Sequence, residues 1–156
     1  MSRKTLFYLI FLVTGLLSGQ IWGQEFSPYG NPLTRLTVKD VPVVAEVVST
    51  PQKLYLGLSH RQNLPEGQGM LFLLGAARRH VFCMRDMLIP IDIIWIGDGK
   101  VVGLHKQLSP SDKGDFVSPR PVSLVLEAPG GFADRHGIKV GDPVVFQRGT
   151  YEGPLR

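Results

Sequence analysis

Cysteine is nearly absent. The 156 residues hold one, Cys83, so no intrachain disulfide can form and the fold must rest on its core. Charge of one sign is also scarce: the formal net charge is +4, and Arg3 and Lys4 supply two of those units, leaving +2 (4 − 2) beyond the N-terminal segment. With no basic cluster interleaved with aromatics, that balance argues against a nucleic-acid partner. The histidines His60, His80, His105 and His136 show no metal-ligand spacing, and no Cys-x-x-Cys, His-x-x-x-His or acidic calcium loop occurs. A nucleophile elbow and a dinucleotide fingerprint are missing too. Gly67-x-Gly69 is too short for a phosphate cradle, and Gly130-Gly131 alone is a weak anion site. Neither a metal nor an organic cofactor is expected.

The one long hydrophobic run is N-terminal. Ser2-Arg3-Lys4 precedes an apolar stretch from Leu6 to Leu17, broken only by Thr14 and Gly15; small and polar residues then lead to Ile21-Trp22-Gly23. Basic start, short apolar core and small-residue exit form the secretory pattern. A core of about a dozen residues falls short of the roughly 20 a bilayer span needs. Residues 1–23 are therefore expected to be a signal peptide, cleaved after Gly23 or Gly19, with no stable membrane insertion afterwards. No cysteine lies near either point to accept a lipid. The rest is expected in the periplasm or outside the cell.

What is abundant is glycine and proline, 18 and 12 residues, which punctuate helices and argue against a bundle. Short apolar runs at close spacing predict a mainly β, single compact antiparallel sandwich or barrel with one or two short helices. Residues 24–40 read as a linker and first strand, 41–148 as the domain, and 149–156 as a tail. Strands are predicted within Leu33 to Val48, Met70 to Leu74, Arg79 to Arg85, Ile91 to Ile96, Lys100 to Lys106, Pro121 to Glu127 and Ile138 to Gln147. Thr50-Pro51 has the chemistry of a helix start, and Gly97-Asp98-Gly99 that of a hairpin turn. Gly131 to His136 suits one helical turn. Leu108 to Arg120 reads as a polar loop of a length that is often functional.

The unusual feature is Met84-Arg85-Asp86-Met87-Leu88-Ile89-Pro90-Ile91-Asp92-Ile93-Ile94-Trp95-Ile96, with three charges in a greasy stretch. Strand parity puts Asp92 with Ile94 and Ile96, opposite Ile91, Ile93 and Trp95. Both faces are apolar, so Asp92 is expected to be partly buried and must be paired, hydrogen-bonded or protonated. Either it binds Arg85 or turn amides and pins the connection, or Arg85, Asp86 and Asp92 line a pocket. His80 and His105 are the histidines placed to join such a site, and Arg61 lies on the predicted helix face with Leu54, Gly57 and Leu58. For Cys83 a small core hydrophobe is expected rather than a nucleophile.

Gly57-Leu58-x-x-Arg61, Gly69-Met70-Leu71-Phe72, Phe82-x-Met84-Arg85-Asp86-x-Leu88-Ile89-Pro90-Ile91-Asp92-Ile93-Ile94, Val101-Val102 and His136-Gly137-Ile138-Lys139-Val140-Gly141-Asp142 occur in one order. Together, from about Val43 to Val145, they resemble the domain-of-unknown-function family 192, small and often exported proteins. The resemblance implies a sandwich-like fold related to the jelly rolls and no established activity. Relatives tend to carry an aromatic before Met-Lys-Asn-Thr, where this chain has Cys83 and Met84-Arg85-Asp86-Met87. They often place Cys-Pro and Tyr where Asp115-Phe116-Val117-Ser118-Pro119 stands here.

Two functions follow as expectations. One is a non-catalytic binding or envelope-accessory module, with Arg85, Asp86 and the loop from Ser109 to Arg120 contacting a small ligand or envelope partner. The other is a hydrolase or lyase acting on a glycan-like or small anionic substrate, with Asp92 or Asp86 as base and Arg85 stabilising charge.

Overall fold

The computed structural model describes residues 23–148; the expected signal core and the C-terminal tail lie outside the described residues. β1 (Leu33–Val38) and β2 (Val41–Val48) pair antiparallel. Their alternation sends Leu36, Val38, Val43, Ala45 and Val47 to one buried face. α1 (Pro51–Leu56) follows: the Thr50 side chain accepts from the Lys53 amide, and Pro51 fills the first turn. Gly57 ends the helix with φ +50, a backbone state that glycine adopts without steric cost.

That crossover makes β3 (Gln68–Arg78) parallel to β2, the one departure from antiparallel pairing among the described strands. Gly69 gives β3 room beside the strand that carries Glu127, since a Cβ there would lie 2.7 Å from the Glu127 carbonyl oxygen. β3 runs further than Met70 to Leu74, with a register shift between Leu73 and Arg78. Only β4 (Val81–Phe82) is extended within Arg79 to Arg85. It pairs with β7 (Phe116–Val117), which stands inside the segment expected to be a plain loop. β5 (Ile91–Gly97) and β6 (Lys100–Leu108) form the expected hairpin. Asp98 and Gly99, at φ 51 and 67, supply the two positive angles of a tight turn. β8 (Val122–Pro129), α2 (Phe132–Arg135) and β9 (Val144–Phe146) complete the order.

Seven strands make one sheet in the order β6-β5-β8-β3-β2-β1-β9. The sheet curls until its edges approach. Val101 and Val144 amides donate to the Asp142 and Gly99 carbonyls at 2.9 and 2.8 Å, joining β6 to the chain entering β9. Inside the curl lies one core, with Leu71, Ile94, Ile96, Leu126 and Phe132. Outside it lies a second, with Leu58, Met70, Phe72, Met84, Ile93, Trp95 and Val125, covered by α1, the β4–β7 ribbon and the 83–87 turn. β5 contributes to both with the predicted parity, so it is covered on both sides. No helix among the described residues is long and apolar enough to cross a membrane.

Candidate functional site

Asp92 is fully buried and faces the inner core. Its Oδ1 accepts from the Gln107 and Gly131 amides at 2.7 and 2.8 Å, and Oδ2 from the Ala133 amide at 2.7 Å. These donors include the start of α2, whose N-cap Gly131 has no side chain to offer. Asp92 thus ties β5 to β6 and to α2 by three backbone bonds, and turn amides, not Arg85, are its partners.

Arg85 sits elsewhere, against α1. Its guanidinium carbon lies 3.9 Å over the Tyr55 ring, and Nη2 donates to the Tyr55 carbonyl at 3.0 Å. Asp86, at φ 55, reaches Arg85 Nε at only 3.7 Å. The Ser59 hydroxyl donates to the Arg85 carbonyl and the His60 amide to that of Asp86, at 3.1 and 2.9 Å. The charged turn therefore clamps onto the end of α1. Arg61 is committed to structure: it grips Glu46 by two bonds of 2.9 and 3.0 Å and stacks 3.1 Å over Tyr29. Burial raises the Glu46 carboxyl, but bonds from Arg61, Asn31 and Ser27 outweigh it and hold the group below its ordinary value.

His105 accepts at Nδ1 from the Trp95 indole at 2.9 Å and packs edge-on between Trp95 and Phe116. Burial lowers its pKa, favouring the neutral ring that accepts this bond. His80 is also held down, first by burial and then by the Arg78 charge. Its amide donates to the Ser118 hydroxyl at 3.0 Å, and its Nε2 is buried without a partner among the described residues. Of the six candidates, Arg85 lines a cleft beside α1 and Asp86 touches Arg85 at its edge. Arg61, His80, Asp92 and His105 are not among its walls.

That cleft, of about 210 Å³, opens between α1 and the 83–87 turn. Leu54, Tyr55, Leu58, Phe72, Phe82 and Met87 give it apolar walls; Arg85 and Cys83 bring the polar atoms of the turn, and Glu127 lies beneath. Tyr55, Leu56 and Val81 leave an exposed apolar rim. Cys83 is itself exposed, contrary to the expected core position. The chain leaves β4 at Phe82, so residue 83 no longer follows strand alternation into the core.

Glu127 is the residue that sequence reasoning missed. On β8 it stands in register between Met70 of β3 and Ile93 of β5, on the face of Val125. It is 5% exposed, and Oε2 has no hydrogen-bond partner among the described residues. Burial pushes its pKa up to about 8, so at neutral pH it is mostly an uncharged carboxyl. Its signal was present: Leu124-Val125-Leu126-Glu127-Ala128 is a lone acid in an apolar strand, the same pattern that drew attention to Asp92. Asp92 and Glu127 thus stand on neighbouring strands with opposite fates, one saturated by amides and one left open beneath a cleft.

Fold and site together define a small, mainly β protein built on one curled sheet, with a ligand-sized cleft on its outer face. A profile of the domain-of-unknown-function family 192, described as "Uncharacterized ACR", matches residues 34–146, and the chain belongs to this family. No curated protein matches. Among solved structures, a protein of unknown function from Novosphingobium aromaticivorans is 33% identical with a TM-score of 0.73, covering 78% of this chain and 91% of its own. A Sinorhizobium meliloti chain described as a "putative transcription regulator" is 27% identical with a TM-score of 0.68, covering 73% and 92%.

Proposed function

We propose that the protein is an exported, non-catalytic binding module whose site is the cleft over Glu127. The observation that carries this reading is a buried carboxyl without a partner among the described residues, set in the lining of an open cleft with largely apolar side chains. Such a group costs stability, and fixed polar groups beneath apolar walls are how small-ligand sites set orientation. The catalytic alternative has weaker support. Asp92 is saturated by three amides, and Asp86 is an exposed carboxylate beside Arg85. The mild charge beyond the N-terminal segment also favours a small ligand or envelope partner over nucleic acid.

Cys83 provides the test of the site. Its thiol stands in the cleft wall and is exposed, so a soluble disulfide reagent should modify it in the native protein. A small molecule seated over Glu127 should slow that modification at least tenfold. A compound that raises the melting temperature yet leaves the Cys83 rate unchanged binds elsewhere, and would count against this cleft. For export, expression of the full chain followed by fractionation and N-terminal sequencing should recover a polypeptide beginning at Gln24 or Gln20. Retention of Met1 on a cytoplasmic product would overturn that part.

A further inference from the structure

We propose that the ligand of this cleft carries a primary carboxamide on a compact apolar body, the amide pairing with the Glu127 carboxyl. This deepens the binding reading and rests on it. A carboxyl held un-ionised presents one O–H donor and one C=O acceptor side by side. The group that answers both at once, without charge, is a planar amide offering its carbonyl oxygen and one N–H.

The walls disfavour the charged alternatives. Phe72, Phe82, Leu58 and Met87 cannot compensate a ligand anion set against the Glu127 carboxyl. Arg85, the cation of the lining, is engaged with the Tyr55 ring and carbonyl, so an anion drawn to it would leave Glu127 unpaired. An ammonium would require Glu127 to ionise against the burial that holds it un-ionised. It would also pass the Arg85 guanidinium, whose charge Asp86 only partly offsets from 3.7 Å. The Ser59 hydroxyl is already committed to the Arg85 carbonyl. The apolar lining and a volume of about 210 Å³ suit a body the size of one aromatic ring.

The titratable and charged groups facing Glu127 across the cleft are Tyr55 from α1, and Cys83 and Arg85 from the turn. Its strand neighbours Met70 and Ile93 do not titrate. If the amide needs the un-ionised carboxyl, affinity follows the protonated fraction. With a pKa of about 8, that fraction falls roughly tenfold between pH 7 and pH 9.

Benzamide, benzylamine and benzoate share one ring and differ in head group, so chemical-shift titration at millimolar concentration separates the classes. Benzamide should bind in preference, about tenfold more weakly at pH 9 than at pH 7. Glu127→Gln offers the same donor–acceptor pair without a titrating proton, so it should keep benzamide affinity within a few-fold and lose the pH dependence. Glu127→Leu should weaken it at least tenfold. Tyr55 and Cys83 persist in the Gln variant, so a pH dependence surviving there would belong to them and overturn the assignment to Glu127. Preference for benzylamine, with affinity rising from pH 7 to 9, or for benzoate, would overturn the amide inference and leave the cleft standing. Failure of all three probes to bind, or to slow Cys83 modification, would overturn the inference together with the binding reading.

Discussion

Replacing Asp92 by Asn is expected to lower the melting temperature by more than 10 °C. The carboxyl accepts three backbone N–H bonds in a fully buried site. An amide has one acceptor oxygen, and its own N–H₂ group would face at least one of those donors. Leaving one or two buried amides without an acceptor costs about 1–3 kcal/mol each. A total of about 4 kcal/mol is a large part of the 5–15 kcal/mol that holds a domain of this size together. The damage should concentrate where the donors lie. Hydrogen exchange should quicken at Gln107, Gly131 and Ala133 first, because α2 is one short turn whose start relies on Asp92. An unchanged melting temperature for the folded variant would remove the structural role assigned to this residue.

Glu127→Gln should act in the opposite direction and stabilise the protein at neutral pH. The group's folded pKa is raised to about 8 from an ordinary 4.5 by burial. The folded state therefore binds a proton that the unfolded state has released between those values. Stability from this residue is fully present below pH 4.5 and is lost as pH rises through 8, by about 5 kcal/mol in all. Glutamine has no such proton. The variant should match wild type near pH 4 and exceed it by about 3 kcal/mol at pH 7, roughly 10 °C in melting temperature. The gap should widen further to pH 8. Urea titrations of both proteins from pH 4 to pH 9 measure the difference directly. A glutamate at a position where glutamine would be more stable is the trade expected of a site that serves binding rather than packing. Equal stability at every pH would mean that the carboxyl finds water or a partner in solution.

Much of the fold was legible because local chemistry agreed with it. Thr50-Pro51 capped a helix, Asp98-Gly99 turned a hairpin, and the parity of Ile91 to Ile96 divided that strand between two cores. Pairing across long distances was not legible. The parallel partnership of β2 with β3 depends on a crossover that periodicity does not reveal, and β7 is extended only because β4 lies beside it. The site shows the same division. Burial of Asp92 followed from its strand, but nothing local told whether Arg85 or amides from residues 107, 131 and 133 would meet it. Arg85 and Asp86 drew attention as charges in a greasy run, and they stand at the edge of the cleft rather than on its floor. Glu127 occupies the floor because β8 runs between β3 and β5 beneath α1. Its importance lies in an arrangement of four segments, and only its lone charge in an apolar strand was visible beforehand.

If the buried Glu127 carboxyl is left open for a ligand, its own titration should show it. Carbon-13 NMR of the side-chain carboxyl, assigned by its loss in Glu127→Gln, should give a midpoint near 8 in the free protein. A saturating carboxamide should move the midpoint higher still, because the bound form holds the proton. A midpoint near the ordinary 4.5, unmoved by any compound that protects Cys83, would rule out this role for Glu127.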